Sequence, residues 1–423
     1  MATITSTVVG RSNLAQASIG AGAPFLYGRE ATQVEAGISV LSAWNHPVLT
    51  LLSKIGTVQS NSIQFNWFES EDRPYVDQIN WGTGYTTGTG LTVDNSAYFA
   101  VGDVVRVEAT GETMLVTSVG TNYIGVVRDY GQTHEGWTAR RADIADNYYL
   151  QRIGNAFMQG AAMPTLKKVL EAEKVNYVQE FRTPFGVTED VYYSQMRGEA
   201  AFPFEASQAA VDHQRKQELA LLFGMPAKGS TGAGQPAYDS AATNLLPTTT
   251  GGIDYFLVAG CDSARLVDQA DLTESEFIDF LEAAFEYGSQ EKWMLASPEL
   301  LTAFAKWALT KEMTKSGKMV RGIMVTDWLT PQGKMLHLIE HRALKRSSTS
   351  DTNLYNYNYV LDMENISKVG FGPYGVTGLR EPIKYANNSG KTLIQQEYFS
   401  KTGLVLRLPK THARLRFKTY SAS

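Results

Sequence analysis

The sequence is short of the features that most often mark a compartment or a covalent framework. Cys261 is the single cysteine among 423 residues, so no disulfide can form within one chain. No apolar run approaches about 20 residues, the length that a membrane-spanning helix needs. The N-terminal segment also lacks the charged start and apolar core of a signal peptide. We therefore expect a protein of a reducing compartment that neither enters nor crosses a membrane.

The chain also lacks an excess of positive charge. Its 38 Lys and Arg residues are outnumbered by 43 Asp and Glu residues, which gives a net charge of -5 and a pI near 5.8. This balance argues against a protein that coats nucleic acid over its whole surface, although a local basic face remains compatible with it. With 43% hydrophobic residues, the chain has enough apolar material for a large core in roughly two or three domains.

Catalytic signatures are scarce. The pattern His337, Glu340 and His341 fits the H-x-x-E-H motif of inverted zinc peptidases, in which two histidines one helical turn apart bind the metal. The surrounding residues alternate apolar and polar, which predicts a strand, and on a strand the two histidines stand about 13 Å apart. We expect no cofactor and no metal, and keep a zinc-dependent hydrolase using these residues as an alternative.

The N-terminal half begins with a segment that cannot build its own core. Residues 1–28 hold one charged side chain, Arg11, among Ala, Gly, Ser and Thr, which indicates an extended arm that needs another surface. A strand follows in the stretch IQFNWF, and three short alternating strands make a β module at about 98–130. At the end of the first strand the charged residues Glu69, Glu71, Asp72 and Arg73 are expected to be solvated or salt-bridged.

A long helix over residues 204–224 organises the chain. Its small and polar residues, from Ala209 through His213 and Gln217 to Leu221, recur at helical spacing and predict a narrow buried stripe. The charged residues of the helix are expected in water; they are Asp212, Arg215, Lys216 and Glu218. Gly224 should end the helix, and a Pro/Gly/Ser/Thr-rich connector follows at 225–250.

The second half of the sequence contains predicted helices and predicted strands in alternation, which is typical of an α/β domain. Thr273 and Glu276 form a capping-box pattern, and Ser297-Pro298-Glu299 has the order of residues that starts another helix. The last strand alternates so that one face carries only polar residues, namely Lys410, His412, Arg414, Arg416 and Lys418. We expect this face to be solvated or to meet another subunit, with Glu69, Glu71 and Asp72 of a neighbour as an acidic partner.

The order of these parts resembles the major capsid protein of tailed bacteriophages, in the branch with a β module inserted in the extended loop. The likeness is carried by IQFNWFESED at 63–72, VGDVVRVEATGETMLVTSV at 101–119, NYVQEFRTPFGVTED at 176–190, ELALLFG at 218–224 and Gly251-Gly252-Ile253. The resemblance implies an α+β fold with an N-terminal arm, an extended loop, a peripheral domain with a spine helix, and an axial domain.

The implied domains follow the chain. They are an arm at 1–55, an extended β loop at 56–155 with its module at about 86–145, a peripheral domain at 156–254, an axial domain at 255–385, and returning C-terminal strands at 386–423. The candidate inter-subunit contacts are Glu69, Glu71, Asp72, Arg73, Arg414, Arg416 and Lys418.

The resemblance also implies a function without catalysis. Pentamers and hexamers of the chain would form an icosahedral or prolate head that encloses double-stranded DNA through non-specific contacts. Portal, scaffolding or decoration proteins are further partners that it allows, with assembly in the cytoplasm of a bacterial host and the virion as the final location. A structural protein of a phage tail or adhesion device is a second alternative.

Overall fold

The computed structural model describes residues 46–131, 143–161, 171–194, 201–228, 247–308, 315–348, 351–372, 378–384 and 393–421, apart from single positions at 83, 86, 87, 321, 322, 331 and 352. The chain divides into two compact units, Met1–Phe65 with Val175–Ser423, and Asn66–Lys174. The predicted arm at 1–28 and most of the connector at 225–250 lie outside the described residues.

All helices of the described residues belong to the first unit. They are α1 (Pro47–Ile55), α2 (Glu189–Tyr193), α3 (Ala201–Phe223), α4 (Ile253–Gly260), α5 (Glu274–Ala284) and α6 (Pro298–Ala308). Among the described residues, short 3-10 turns lie at Ser96–Tyr98, Arg342–Leu344 and Pro409–Thr411. Together with the sheets described below, they confirm the predicted α+β class.

A five-stranded sheet supports the long helix. It consists of β1 (Thr57–Ser60), β10 (Gln179–Thr188), β19 (Ile366–Phe371), β20 (Gly378–Lys384) and β21 (Leu393–Leu406) in the order β1-β19-β21-β10, with β20 also paired to β21. Helix α3 packs on β10 and β21, and the imidazole of His213 lies buried between Thr183 and Ser400. The prediction of a long helix that ends at Gly224 is confirmed.

A seven-stranded mixed sheet forms the second layer of the first unit. Its strands are β13 (Leu266–Leu272), β14 (Glu291–Ala296), β15 (Lys315–Val320), β16 (Ile323–Leu329), β17 (Met335–Glu340), β18 (Asn356–Leu361) and β22 (Ala413–Tyr420), in the order β13-β22-β18-β14-β17-β16-β15. Apolar residues of α5 and α6 share a buried cluster with one face of this sheet. The capping box of Thr273 and Glu276 is present as predicted.

The Asn66–Lys174 unit contains a closed β-barrel. Six antiparallel strands lie in the order β3-β8-β5-β6-β7-β4: β3 (Val76–Gln78), β4 (Gly90–Thr92), β5 (Asp103–Val107), β6 (Thr113–Gly120), β7 (Tyr123–Val127) and β8 (Tyr149–Asn155). A bridge between Ile79 and Val93 joins the first and last strands of this order, so the sheet closes on itself. The predicted strands of the β module are confirmed.

The interior of the barrel is apolar because alternate side chains of each strand point inward. The buried cluster consists of Ile79, Leu91, Val93, Phe99, Val105, Val107, Met114, Val116, Ile124, Val126, Ile144 and Leu150. At one turn of the barrel Arg128 makes a bidentate ion pair with Glu112, with Nε–Oε1 and Nη2–Oε2 distances of 2.8 and 2.6 Å. The unit therefore has a complete core of its own.

Three local predictions are corrected by tertiary contacts. The spacing of Leu166, Val169 and Leu170 predicts an amphipathic helix at 164–174. Its residues as far as 170 lie outside the described ranges, and from Ala172 the chain is strand β9 (Ala172–Tyr177), paired with β2 (Gln64–Glu69). Sheet pairing here overrides local helix propensity. The residues 176–193 are also strand-like in sequence, but strand β10 ends at Thr188 and residues 189–193 are helix α2.

The third correction concerns Glu218, which was predicted to be solvated. Its side chain is fully buried, because its carboxylate accepts hydrogen bonds from the backbone N–H groups of Val48 and Leu49 at 2.8 and 2.9 Å. These groups belong to the first turn of α1, where no backbone carbonyl is available to them.

Candidate assembly contacts

The predicted acidic cluster is only partly a cluster. The side chains of Glu71 and Asp72 are exposed, whereas Glu69 is half-buried and accepts a hydrogen bond from Trp67 Nε1 at 2.7 Å. Arg73 donates to the carbonyl oxygen of Tyr98. Exposed Glu71 and Asp72 are therefore the members of the group that are most accessible to another molecule.

A second arginine reaches the carbonyl that Arg73 contacts. Arg152 of β8 donates from Nη1 to Tyr98 O at 3.0 Å, and the same Nη1 lies 4.0 Å from Asp103 Oδ2. Burial lowers the pKa of the Arg73 guanidinium, and the charge of Arg152 lowers it further, while Asp103 opposes both. Sequence reasoning did not identify Arg152, since the two arginines are far apart in the chain and meet through the pairing of β3 with β8.

Arg414, Arg416 and Lys418 of the last strand share one face, as predicted, and the two arginines find acidic partners within the same chain. The prediction is wrong for Lys410 and His412, which precede the strand: Lys410 lies in the 3-10 turn Pro409–Thr411, and His412 is fully buried. Arg414 is buried and donates to Asp254 Oδ1 at 2.9 Å. Arg416 binds both carboxylate oxygens of Asp268 on β13, with an Nε–Oδ1 distance of 2.6 Å. These hydrogen bonds are the main reason that the pKa of Asp268 is lowered and that of Arg416 is raised.

The structure adds an aromatic row to this basic face. The Arg416 guanidinium lies over the rings of Tyr355 and Tyr357, at 5.1 and 5.5 Å from their centroids, and Lys418 Nζ lies 4.8 Å from the Tyr355 centroid. The alternation of tyrosine and asparagine at 355–359 was the signal in the sequence. On a strand it places Tyr355 and Tyr357 on this face, whereas Asn356 and Asn358 are buried.

The two histidines of the zinc pattern serve separate contacts. His337 lies on β17 between Asp327 and Glu291, with Nδ1–Oδ1 and Nε2–Oε1 distances of 2.5 and 2.6 Å, and its ring packs on Trp293. His341, just beyond the strand, lies 3.0 Å from Glu218 through Nε2. The strand prediction is thus confirmed.

No group of His, Cys, Asp and Glu residues suited to a metal ion occurs in the parts of the chain that the structure covers. The zinc hydrolase alternative has no support. Within the same described ranges, no helix is both long and apolar enough to cross a membrane.

His341 instead helps to hold three elements together. Its Nδ1 accepts from the backbone N–H of Ala343 at 3.2 Å, so Nε2 carries the proton and donates to Glu218. Glu218 therefore links α3, the start of α1 and the end of β17. This contact fastens α1, the first described element, to the body of its unit.

Comparison with known proteins identifies relatives. The family model for the SU10 major capsid protein matches residues 12–419. The major capsid protein of Pseudomonas phage PaMx41 is 28% identical over 193 residues, a match that spans 45% of this chain and 44% of that protein. The matched region is therefore less than half the length of this curated relative.

The solved structures that this chain is similar to include the capsid of a native GTA particle. That match has 10% identity and a TM-score of 0.46, and it covers 96% of this chain and 99% of the other. A structure from Mycobacterium phage Bobi has 9% identity and a TM-score of 0.44, and covers 94% and 98% of the two chains. The family model itself matches from near the first residue to near the last. The chain belongs to the SU10 major capsid protein family.

Proposed function

We propose that this chain is the subunit of a phage head, in which copies associate into pentamers and hexamers that close into an icosahedral or prolate shell around double-stranded DNA. The observation that carries the proposal is the family match over residues 12–419. The relative from Pseudomonas phage PaMx41, which is itself a major capsid protein, supports it. The role is structural, and we assign no catalytic step to the chain.

Each predicted domain has its own structural role in the proposed shell. We assign an arm to residues 1–55, an extended loop to 56–155, a peripheral domain to 156–254, an axial domain to 255–385 and returning strands to 386–423. The closed barrel of the Asn66–Lys174 unit, with the paired strands β2 and β9 next to it in sequence, supports the assignment of an inserted β module. Self-association of identical copies is the interaction that such a module serves.

The distribution of charge bears on the DNA contact. The Asn66–Lys174 unit carries nine Lys and Arg residues against fourteen Asp and Glu residues, a net charge of -5 that equals the net charge of the whole chain. The rest of the chain is therefore neutral overall. Because a negative unit is repelled by a polyanion, we assign the non-specific contact with DNA to the neutral remainder.

Further partners and the place of assembly extend the same proposal. Portal, scaffolding and decoration proteins would meet the assembled shell, and assembly would take place in the cytoplasm of the bacterial host before the subunit becomes part of the virion.

The test is assembly of the purified full-length chain, followed by negative-stain electron microscopy and sedimentation velocity. Closed shells of uniform size are expected. Tubes, rings or fibres would favour the tail or adhesion alternative, and a chain that stays monomeric at every salt and protein concentration would contradict a self-assembling role.

A further inference from the structure

The Arg73 and Arg152 side chains form a cationic pair with too little negative charge beside it. Both guanidinium groups donate to one acceptor, the carbonyl oxygen of Tyr98. Asp103 is the single carboxylate that the described residues bring near the pair, and it lies 4.0 Å from Arg152 Nη1. The same Asp103 oxygen already accepts from the backbone N–H of Ala100 at 2.8 Å. One weak carboxylate contact thus faces two positive charges.

The pair is not simply two solvated surface side chains. The Nε of Arg73 is buried and has no hydrogen-bond partner among the described residues. The Arg152 side chain is 22% exposed, so a ligand can reach it from one side. The backbone of Arg152 is held by a hydrogen bond from its N–H to Tyr75 O at 2.7 Å. Two arginines are therefore held close together by the barrel, with donors left over.

From this geometry we propose that the Arg73–Arg152 pair is the receptor for an Asp or Glu side chain from a second copy of the chain. Guanidinium groups match a carboxylate through parallel N–H···O contacts, and a single carboxylate would balance the excess positive charge. The net charge of -5 on this unit disfavours a polyanionic ligand such as nucleic acid at the same place. The inference rests on the proposed self-assembly and names the chemistry of one contact in it.

The test compares substituted full-length chains in the assembly experiment. In the Arg73→Gln with Arg152→Gln variant, the protein concentration needed for assembly should rise at least tenfold, because charge-assisted contacts are lost in every copy. The Arg73→Lys with Arg152→Lys variant keeps the charge but loses the planar guanidinium groups. The protein concentration that it needs for assembly should lie between the values for the glutamine double variant and the wild type. Arg106→Gln is the matched control, since Arg106 is an exposed arginine on β5 of the same barrel; it should assemble as the wild type does.

A measurement on the unsubstituted chain separates this contact from a folding defect. Phenylglyoxal, an arginine-specific reagent, is applied to free subunits and to assembled particles, and the modified sites are located by mass spectrometry. Arg73 and Arg152 should be modified several-fold less in particles, while Arg106 changes little.

Equal modification of the pair in both states would overturn the inference while leaving the shell itself intact. Protection that disappears after nuclease treatment would also overturn it, because the ligand would then be nucleic acid. A wild-type chain that forms no shells would instead contradict the proposed function.

Discussion

At the scale of single residues, Glu218 shows how a charged side chain can be part of a core. Helical periodicity placed it next to the buried stripe of α3 and its charge predicted exposure, so the sequence could not reveal its partners. Those partners are the first turn of α1 and His341, both remote in the chain. The position of Glu218 one helical turn before the buried Leu222 was the available signal.

Replacing Glu218 tests this contact. Glu218→Gln should reduce the free energy of unfolding by about 2–4 kcal/mol, because the amide leaves one buried N–H donor without an acceptor and weakens the contact with His341. Urea denaturation of the unassembled chain measures this reduction in the free energy of unfolding. Glu205→Gln, at an exposed position on the same helix, should change stability by less than about 0.5 kcal/mol; equal losses in the two variants would contradict the assigned role.

His213 should make the first unit sensitive to acid. Burial, with a smaller contribution from Lys216 and Lys368 against Asp212, lowers the pKa of His213 to about 4. Its ordinary pKa in an unfolded chain is about 6.5. Between these values the unfolded chain binds the proton and the folded chain does not, so the stabilisation is complete above pH 6.5 and is lost as the pH falls toward 4.

The slope of unfolding free energy against pH measures this linkage. Buried His412, whose pKa is also lowered to about 4, contributes in the same sense. His213→Gln should therefore remove about one of the protons taken up on unfolding, or about 1.4 kcal/mol per pH unit near pH 5. An unchanged slope in that variant would show that His213 is already protonated in the folded protein.

At the scale of elements, the ends of helices were predicted better than the contacts between elements that lie far apart in the chain. The capping box at Thr273 and the stop at Gly224 depend on residues within a few positions, which a sequence displays directly. The pairing of β9 with β2 and the closure of the barrel through Ile79 and Val93 depend on segments far apart in the chain. Local patterns therefore predicted the strands, whereas the closure of the barrel required the structure.

The junction of α3 and α4 offers an element-scale test. A Cβ atom at Gly252 would lie 2.7 Å from Gly224 N and 2.8 Å from the carbonyl group of Leu222, all of them backbone atoms that cannot rotate away. Gly252→Ala should destabilise the chain by about 1–3 kcal/mol in urea denaturation. Gly154→Ala is the control, since nothing lies within 4 Å of its added Cβ and its backbone needs no glycine; comparable effects of both changes would count against close packing at the junction.

At the scale of the whole molecule, the two units should fold separately. The Asn66–Lys174 unit has a closed sheet and its own buried cluster, so this fragment expressed alone is expected to unfold cooperatively, as measured by circular dichroism. Leu150→Ala within the fragment should cost about 2–5 kcal/mol, because it empties part of the barrel interior. A fragment without a cooperative transition would show that its core depends on the rest of the chain.

Assembly should respond to charge on the exposed segment after β2. Glu71→Lys with Asp72→Lys changes two exposed side chains, so the subunit should stay folded with an unchanged melting curve but form shells poorly. Glu108→Lys with Asp143→Lys makes the same change in charge at exposed positions elsewhere in the unit and should assemble better. Normal shells from the first variant, by electron microscopy, would remove these residues from the candidate contacts.

The bridge between Ile79 and Val93 has a further consequence for the proposed self-assembly. Because backbone hydrogen bonds beside this bridge join the first strand of the order to the last, the ring of strands has no open edge strand among the described residues that a strand of another chain could extend. In the proposed shell, contacts between copies at this barrel would therefore be made by side chains, and fibrous aggregation by strand addition is not expected there.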